Sequence, residues 1–305
     1  MKNIKAIYVD CCAPSLSRNL PFRIKSDWEI SLIIRSTYFS KEINGFSPTL
    51  YCDPLTESYY RELGILDCFD EVFPILSEHP EEYNPSIFWA GGKFEAILHC
   101  DSPFIVMDLD LELRNKIDLS DCEVFCSHVE LIDSNACLFY PDPKDLDKSG
   151  YFKNLGIEFG NKALNTSLLY FKDINLSKEY AKIAMGYMKS IKQINPLLEN
   201  NCYILLAEQR LLSDFCESKG IIPNTLISGN YIPSRAVIGD KEPPFENSNV
   251  SEVAKYFLHI WGHKIYLDSD PLLGKDLYER LLFSSPGYIR DKIEKAVENN
   301  YSFVQ

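Results

Sequence analysis

Phe104-Ile105-Val106-Met107-Asp108-Leu109-Asp110-Leu111 is an apolar run that ends in two carboxylates one residue apart. A short apolar run of this kind reads as a strand buried on both faces. Residues two apart in an extended strand share a face, so Asp108 and Asp110 are expected to point the same way. In an α/β sheet the carboxyl end of a strand overlooks the usual ligand crevice. Hard carboxylate oxygens there suit magnesium or manganese, which can also take two oxygens from a diphosphate. Without a cation, a diphosphate would meet a like-charge cost of about 4 kcal/mol per pair at ~4 Å and an effective dielectric near 20.

Working outward, strand-like and helix-like runs alternate on the N-terminal side. Strands are expected over 4–9, 48–52 and 71–75, and helices over 27–39, 56–63 and 86–99, with Gly64 ending the second helix. That rhythm predicts an α/β fold: a single Rossmann-like domain over 1–265 with a mixed, mainly parallel central sheet. Past Asp110 the spacing loosens. Strands are expected over 123–127 and 164–171, around a polar insertion at 133–160, and helices over 178–192 and 203–218. Residues 223–251 are rich in Pro, Asn and Gly and read as irregular, a candidate lid loop. Residues 266–305 read as amphipathic helices packed on the outside as a C-terminal extension.

A formal net charge of −13 disfavours nucleic acid and acidic membrane surfaces as partners. The ten cysteines show no zinc-like ladder and read as buried free thiols, which fits a reducing cytoplasm. The first ten residues alternate like a strand rather than a signal peptide. No stretch approaches the ~20 apolar residues of a transmembrane segment. One other chemistry places carboxylates after an apolar strand, the aspartyl-phosphate phosphatases. Their motif would have Gly and Thr where Leu111-Glu112 stands, and it opens nearer the N-terminus.

Four more segments carry chemistry-bearing residues: Gly91-Gly92-Lys93, Asn165-Thr166-Ser167, Glu208-Gln209-Arg210, and His259-Ile260-Trp261-Gly262-His263-Lys264. With Asp108-Leu109-Asp110, their order over about 85–265 resembles that of the retaining A-type, nucleotide-diphospho-sugar glycosyltransferases. The likeness is to glycosyltransferase family eight, the glycogenin and lipopolysaccharide galactosyltransferases. Ser167 stands where that family has glycine, Glu208 where it has aspartate, and the last segment is one residue shorter before its lysine.

The resemblance implies Mn2+ or Mg2+ held by Asp108, Asp110 and His259. It implies donor contacts from Lys93, Asp108, Asn165, Gly262 and Lys264, with His263 as the alternative to Lys264. Gln209 would lie on the face of the donor sugar opposite the leaving group, and Glu208 would bond sugar or acceptor hydroxyls. From fold position the nucleotide base is expected at the end of the first strand, near Asp10, and beside Asp53. The implied partners are a nucleotide-sugar donor, a UDP-sugar favoured, and a glycan or lipid-linked acceptor. The setting would be surface-polysaccharide or glycan synthesis, in the cytoplasm or at the inner face of the membrane. Two alternatives stay open: a non-catalytic sugar-nucleotide or glycan-binding relative, and a nucleotidyltransferase, which would favour a glycine-rich basic loop where Asp10-Cys11-Cys12-Ala13-Pro14 stands.

Overall fold

The computed structural model describes residues 4–133, 139–238, 244–260 and 264–304. Among them, Lys5–Asp10 is flanked by two parallel strands, Ser47–Cys52 on one side and Phe104–Met107 on the other. Glu71–Phe73 adds in parallel outside Ser47–Cys52. On the opposite side Leu168–Phe171 runs antiparallel between Phe104–Met107 and Val124–Cys126, and Asn224–Thr225 forms the edge. The result is the expected mixed, mainly parallel sheet. The first three strands step outward in one direction and Phe104–Met107 starts the other, so the strand order reverses between Lys5–Asp10 and Phe104–Met107. A crevice forms beyond the carboxyl ends of such a pair, where the following segments diverge to opposite faces.

All four residues of Phe104–Met107 are buried, because helices cover both faces of the sheet. On one face Phe94, Ile97, Tyr180 and Leu211 pack against Val106, Val124 and Phe171. On the other, Ile30, Ile33, Tyr60 and Ile293 pack against Tyr8, Leu50 and Ile105. Each fully buried aliphatic or aromatic side chain contributes about 1.5–3 kcal/mol. The second face includes the C-terminal helices Pro271–Phe283 and Gly287–Val304. Arg35, on the helix Asp27–Glu42, fastens them by donating to Leu281 O at 2.8 Å and Ser285 Oγ at 2.6 Å. The described cysteines are free thiols, most of them buried. No described helix is long and apolar enough to cross a membrane.

Several boundaries differ from the sequence expectation. The run 164–171 is two strands, Lys162–Leu164 and Leu168–Phe171, in different sheets. The helix expected from 86 begins at Gly91, where the Tyr83 ring lies so close that a Cβ would stand 2.4 Å from it. Residues 223–251, expected to be irregular, contribute Asn224–Thr225, Asn230–Tyr231 and Phe245–Glu246 to sheets, together with the helix Pro233–Ile238. Asn230–Tyr231 pairs in parallel with Val129 and Glu130. Two-residue ladders carry no readable alternation, which is why the composition concealed them.

Candidate active site

The apolar strand stops at Met107, and residues 108–110 are a turn closed by Leu111 N donating to Asp108 O at 3.2 Å. The extended alternation expected of Asp108 and Asp110 is therefore replaced by a bend, which Asp108 N pins by donating to Ser167 O at 2.8 Å. The chain resumes as the strand Leu111–Leu113, antiparallel to Phe257–His259, with His259 opposite Leu111. That register sets the imidazole beside the turn.

Each carboxylate divides its oxygens between two partners. Asp108 Oδ1 lies 2.7 Å from Lys93 Nζ, and its Oδ2 lies 3.7 Å from His259 Nε2. Asp110 Oδ1 lies 3.7 Å from His259 Nε2, and its Oδ2 lies 2.9 Å from Lys264 Nζ. One oxygen of each aspartate thus converges with the imidazole, and the three ligand atoms lie within 4.8 Å of one another. Ligands on one octahedral ion at ~2.1 Å stand about 3–4.2 Å apart, so small side-chain rotations suffice to hold one. Two carboxylate oxygens and one imidazole nitrogen suit Mn2+ or Mg2+ with open positions for phosphate oxygens.

The lysines are tightly coupled to this charge. Burial alone would raise the Asp108 carboxyl, but Lys93, with His259, holds it well below the usual carboxylate range. Burial alone would lower the Lys93 ammonium, yet Asp108 and Glu208 push it above its ordinary value. Lys264, though exposed, is partly desolvated, which would lower it, and is likewise raised by Asp110 and Asp108. Lys93 reaches the site because Gly92 allows its helix to sit against the first strand, where a Cβ would meet Val9 Cγ1 at 3.1 Å.

Glu208 and Gln209 enter from a wide π turn, Leu206–Arg210, set within the helical residues 201–218. Turns of this kind often occur at functional sites. Tyr180 donates its hydroxyl to Glu208 O at 2.7 Å, supporting the widened backbone. Glu208 Oε1 accepts from Lys93 Nζ at 2.9 Å. Gln209, Tyr140, Glu130 and Asn165 form a buried polar group behind it. Asn165 donates Nδ2 to Glu130 Oε1 at 3.0 Å, while its Oδ1 accepts from Ser167 N at 3.2 Å. Ser167, where the resembled family has glycine, is not among the residues with positive φ, so its backbone is one that any residue adopts.

The cleft at the switch point has a volume of about 320 Å³ and joins Lys93, Asp108, Asp110 and Lys264 to Asp10. Asp10 is held by Lys25 Nζ at 2.9 Å and by the Tyr60 hydroxyl at 2.7 Å. Asp53, expected beside the base, is fully buried and engaged otherwise. It caps the helix Pro54–Leu63 through Thr56 N at 2.8 Å and accepts from Cys12 N at 2.7 Å. Gly262 and His263 lie outside the described residues. Sequence reading missed Lys25, Glu130 and Tyr140. The only advance signal was the period-two spacing of His128 and Glu130, which places both on one side of a strand.

The sequence matches no protein-family profile and no curated protein. Among solved structures, the chain is similar to the galactosyltransferase LgtC in complex with donor and acceptor sugar analogues: 12% identity, 95% of this chain and 100% of that one, TM-score 0.38. It is similar to the PaToxG glycosyltransferase at 9% identity, over 99% and 87% of the two chains, with a TM-score of 0.40. The inositol-1-phosphate CTP transferase from T. maritima stands at 12% identity, 94% and 99% coverage and a TM-score of 0.38. Likeness at this level fixes no function.

Proposed function

We propose that this chain is a divalent-metal-dependent glycosyltransferase. In this reading it moves a sugar, with retention of configuration, from a nucleotide-diphosphate donor to a hydroxyl of a glycan or lipid-linked acceptor, in surface-polysaccharide or glycan synthesis. A UDP-sugar is the favoured donor. One observation carries the reading: Asp108, Asp110 and His259 converge at the strand-order switch point, and the two aspartates line one cleft with Lys93 and Lys264.

A metal ion held by Asp108, Asp110 and His259 would supply a Lewis acid for the diphosphate oxygens and reverse the sign of the local field. Lys264, at the exposed end of the cleft, is the residue we assign to the charge that grows on the leaving diphosphate. Lys93 bridges Asp108 and Glu208, so it couples the metal turn to the sugar-facing helix. Glu208 keeps a second oxygen for a sugar or acceptor hydroxyl, and Gln209 serves the donor sugar beside it. Asp10, fixed by Lys25 and Tyr60, is the acceptor we assign to a base N–H. Asn165 donates one N–H to Glu130 and accepts from Ser167 N, so in this reading it braces the turn and keeps a second N–H for the donor contact. A nucleotidyltransferase is less well supported, since the helical turn Ala13–Leu16 stands where its glycine-rich loop would be.

The test is a thermal-shift and calorimetric screen of common sugar nucleotides with and without Mn2+, because ligands of the native state raise the melting temperature. Stabilisation by one donor only when Mn2+ is present is the expected result. Failure of every donor under both conditions removes the transferase reading and leaves the fold with another role.

A further inference from the structure

The Tyr140 hydroxyl has one proton and two oxygens within reach, Glu130 Oε2 at 2.8 Å and the Gln209 side-chain oxygen at 2.6 Å. All three side chains are buried. Glu130 also accepts from Asn165 Nδ2 at 3.0 Å and faces His128 Nε2 at 3.5 Å. Burial alone would raise its carboxyl, but His128 first, then Asn165 and Tyr140, hold it below the ordinary value. An ionised carboxylate can only accept, so the single phenolic proton belongs to Glu130.

That leaves the Tyr140 oxygen with lone pairs alone to offer Gln209. Two oxygens 2.6 Å apart with no proton between them repel. The two ends of a glutamine amide are nearly equal in shape, so the hydrogen-bond network decides which end faces which partner. We infer that Glu130 and Tyr140 are positioning residues that fix the Gln209 amide with its NH2 donating to the phenol and its carbonyl oxygen turned away as a free acceptor. Arg210 steadies the frame by donating to Pro141 O at 3.1 Å and Gly160 O at 2.9 Å, on either side of the segment that follows Tyr140. The same network reaches the metal turn, because Asn165 accepts from Ser167 N and Ser167 O accepts from Asp108 N. The orientation of Gln209 stands on this proton arrangement alone; its use in sugar transfer rests on the function proposed above.

The chain has three glutamines, Gln193, Gln209 and Gln305, so glutamine-selective 15N labelling of the full chain gives a readable side-chain spectrum, assigned with Gln209→Glu. In the wild type the Gln209 NH2 should exchange with solvent at least about 10-fold more slowly than that of Gln193. Tyr140→Phe should abolish most of that protection. If Tyr140→Phe does not fold, Glu130→Gln carries the same test. Its new amide can donate to the phenol oxygen, which frees the phenolic proton for the Gln209 oxygen and turns the NH2 outward, again unprotected. A Gln209 amide that exchanges freely in the wild type, or stays equally protected in the folded variant, overturns the inference.

For the transfer reaction, Tyr140→Phe should lower kcat about 10-fold or more while the Kd of Mn2+–UDP changes less than about twofold. If protection is present and is lost in the variant, yet no sugar nucleotide binds the wild type, the orientation stands and the transferase reading falls.

Discussion

Asp110 and Glu112 lie two residues apart and are both buried, yet their charges are handled in opposite ways. Glu112 Oε1 accepts from Arg35 Nε at 2.6 Å, and its Oε2 accepts from Arg35 Nη2 at 3.1 Å and Arg114 Nε at 2.8 Å. The guanidinium fork saturates both oxygens within the protein. Asp110 turns Oδ2 to a single ammonium at 2.9 Å, while its Oδ1 lies 3.7 Å from an imidazole, on the side where the three candidate metal ligands converge. Burial of a carboxylate therefore says little about function. What matters is whether its partners complete it or leave one oxygen for a further cation. The strand Leu111–Leu113 carries the completed charge and the turn before it the incomplete one.

This contrast predicts a crossing of effects. Glu112→Ala strands Arg35 in the core and should cost about 3–5 kcal/mol, seen as a fall of roughly 10 °C in the melting midpoint. If it melts with the wild type, the pair is not structural and the contrast fails. Asp110→Asn should leave the midpoint nearly unmoved while Mn2+-dependent donor affinity drops at least about 100-fold, near 2.7 kcal/mol. Undiminished affinity by calorimetry would sink the metal assignment. His259→Ala should weaken Mn2+ binding by about 10-fold or more, one ligand of three being lost, with a smaller loss of stability. A large stability loss with normal metal binding would instead move His259 to the side of Glu112.

A third buried carboxylate, Asp214, offers the smallest test. Its Oδ1 accepts from Gly160 N at 2.8 Å, and burial pushes its pKa up to about 6. A raised native pKa means that the associated stability is full below the unfolded value near 4 and is lost as pH rises through about 6. Asp214→Asn should therefore gain on the wild type by about 1 kcal/mol between pH 4 and 7, after allowance for solvent screening. A difference that is flat with pH would show Asp214 to be satisfied as Glu112 is.

The same contrast separates what the sequence could disclose from what it could not. Asp108 and Asp110 were legible because an apolar run points straight at them. The bend that aims them was not, since it is anchored by Asp108 N donating to Ser167 O, just ahead of a strand far along the chain. His259 could be nominated from the order of segments. Its approach to Asp110, however, depends on the pairing of Leu111 with His259, a long-range register that no local pattern encodes. Tyr140 lies in a polar, Pro- and Asp-rich stretch that reads as an insertion, and Glu130 resembles any solvated strand residue. Both became visible only when the fold enclosed them. Asp53, named from fold position alone, has its carboxylate on a helix cap.

The π turn at Leu206–Arg210 is in effect a helix carrying one residue more than its neighbouring turns require. Deleting a residue there would let residues 201–218 close as an uninterrupted α-helix, but each α-helical residue adds about 100° of rotation. The wide turn already absorbs that amount, so the segments on either side of it would keep their phase and the residues of the turn itself would move. Leu211, Leu212 and Phe215 would keep their seats in the core while Glu208 and Gln209 swung out of theirs. One surplus residue thus reconciles two phases in a single helix, an apolar one that anchors it and a polar one that serves the cleft. A shortened chain should fold with one of them and lose the other.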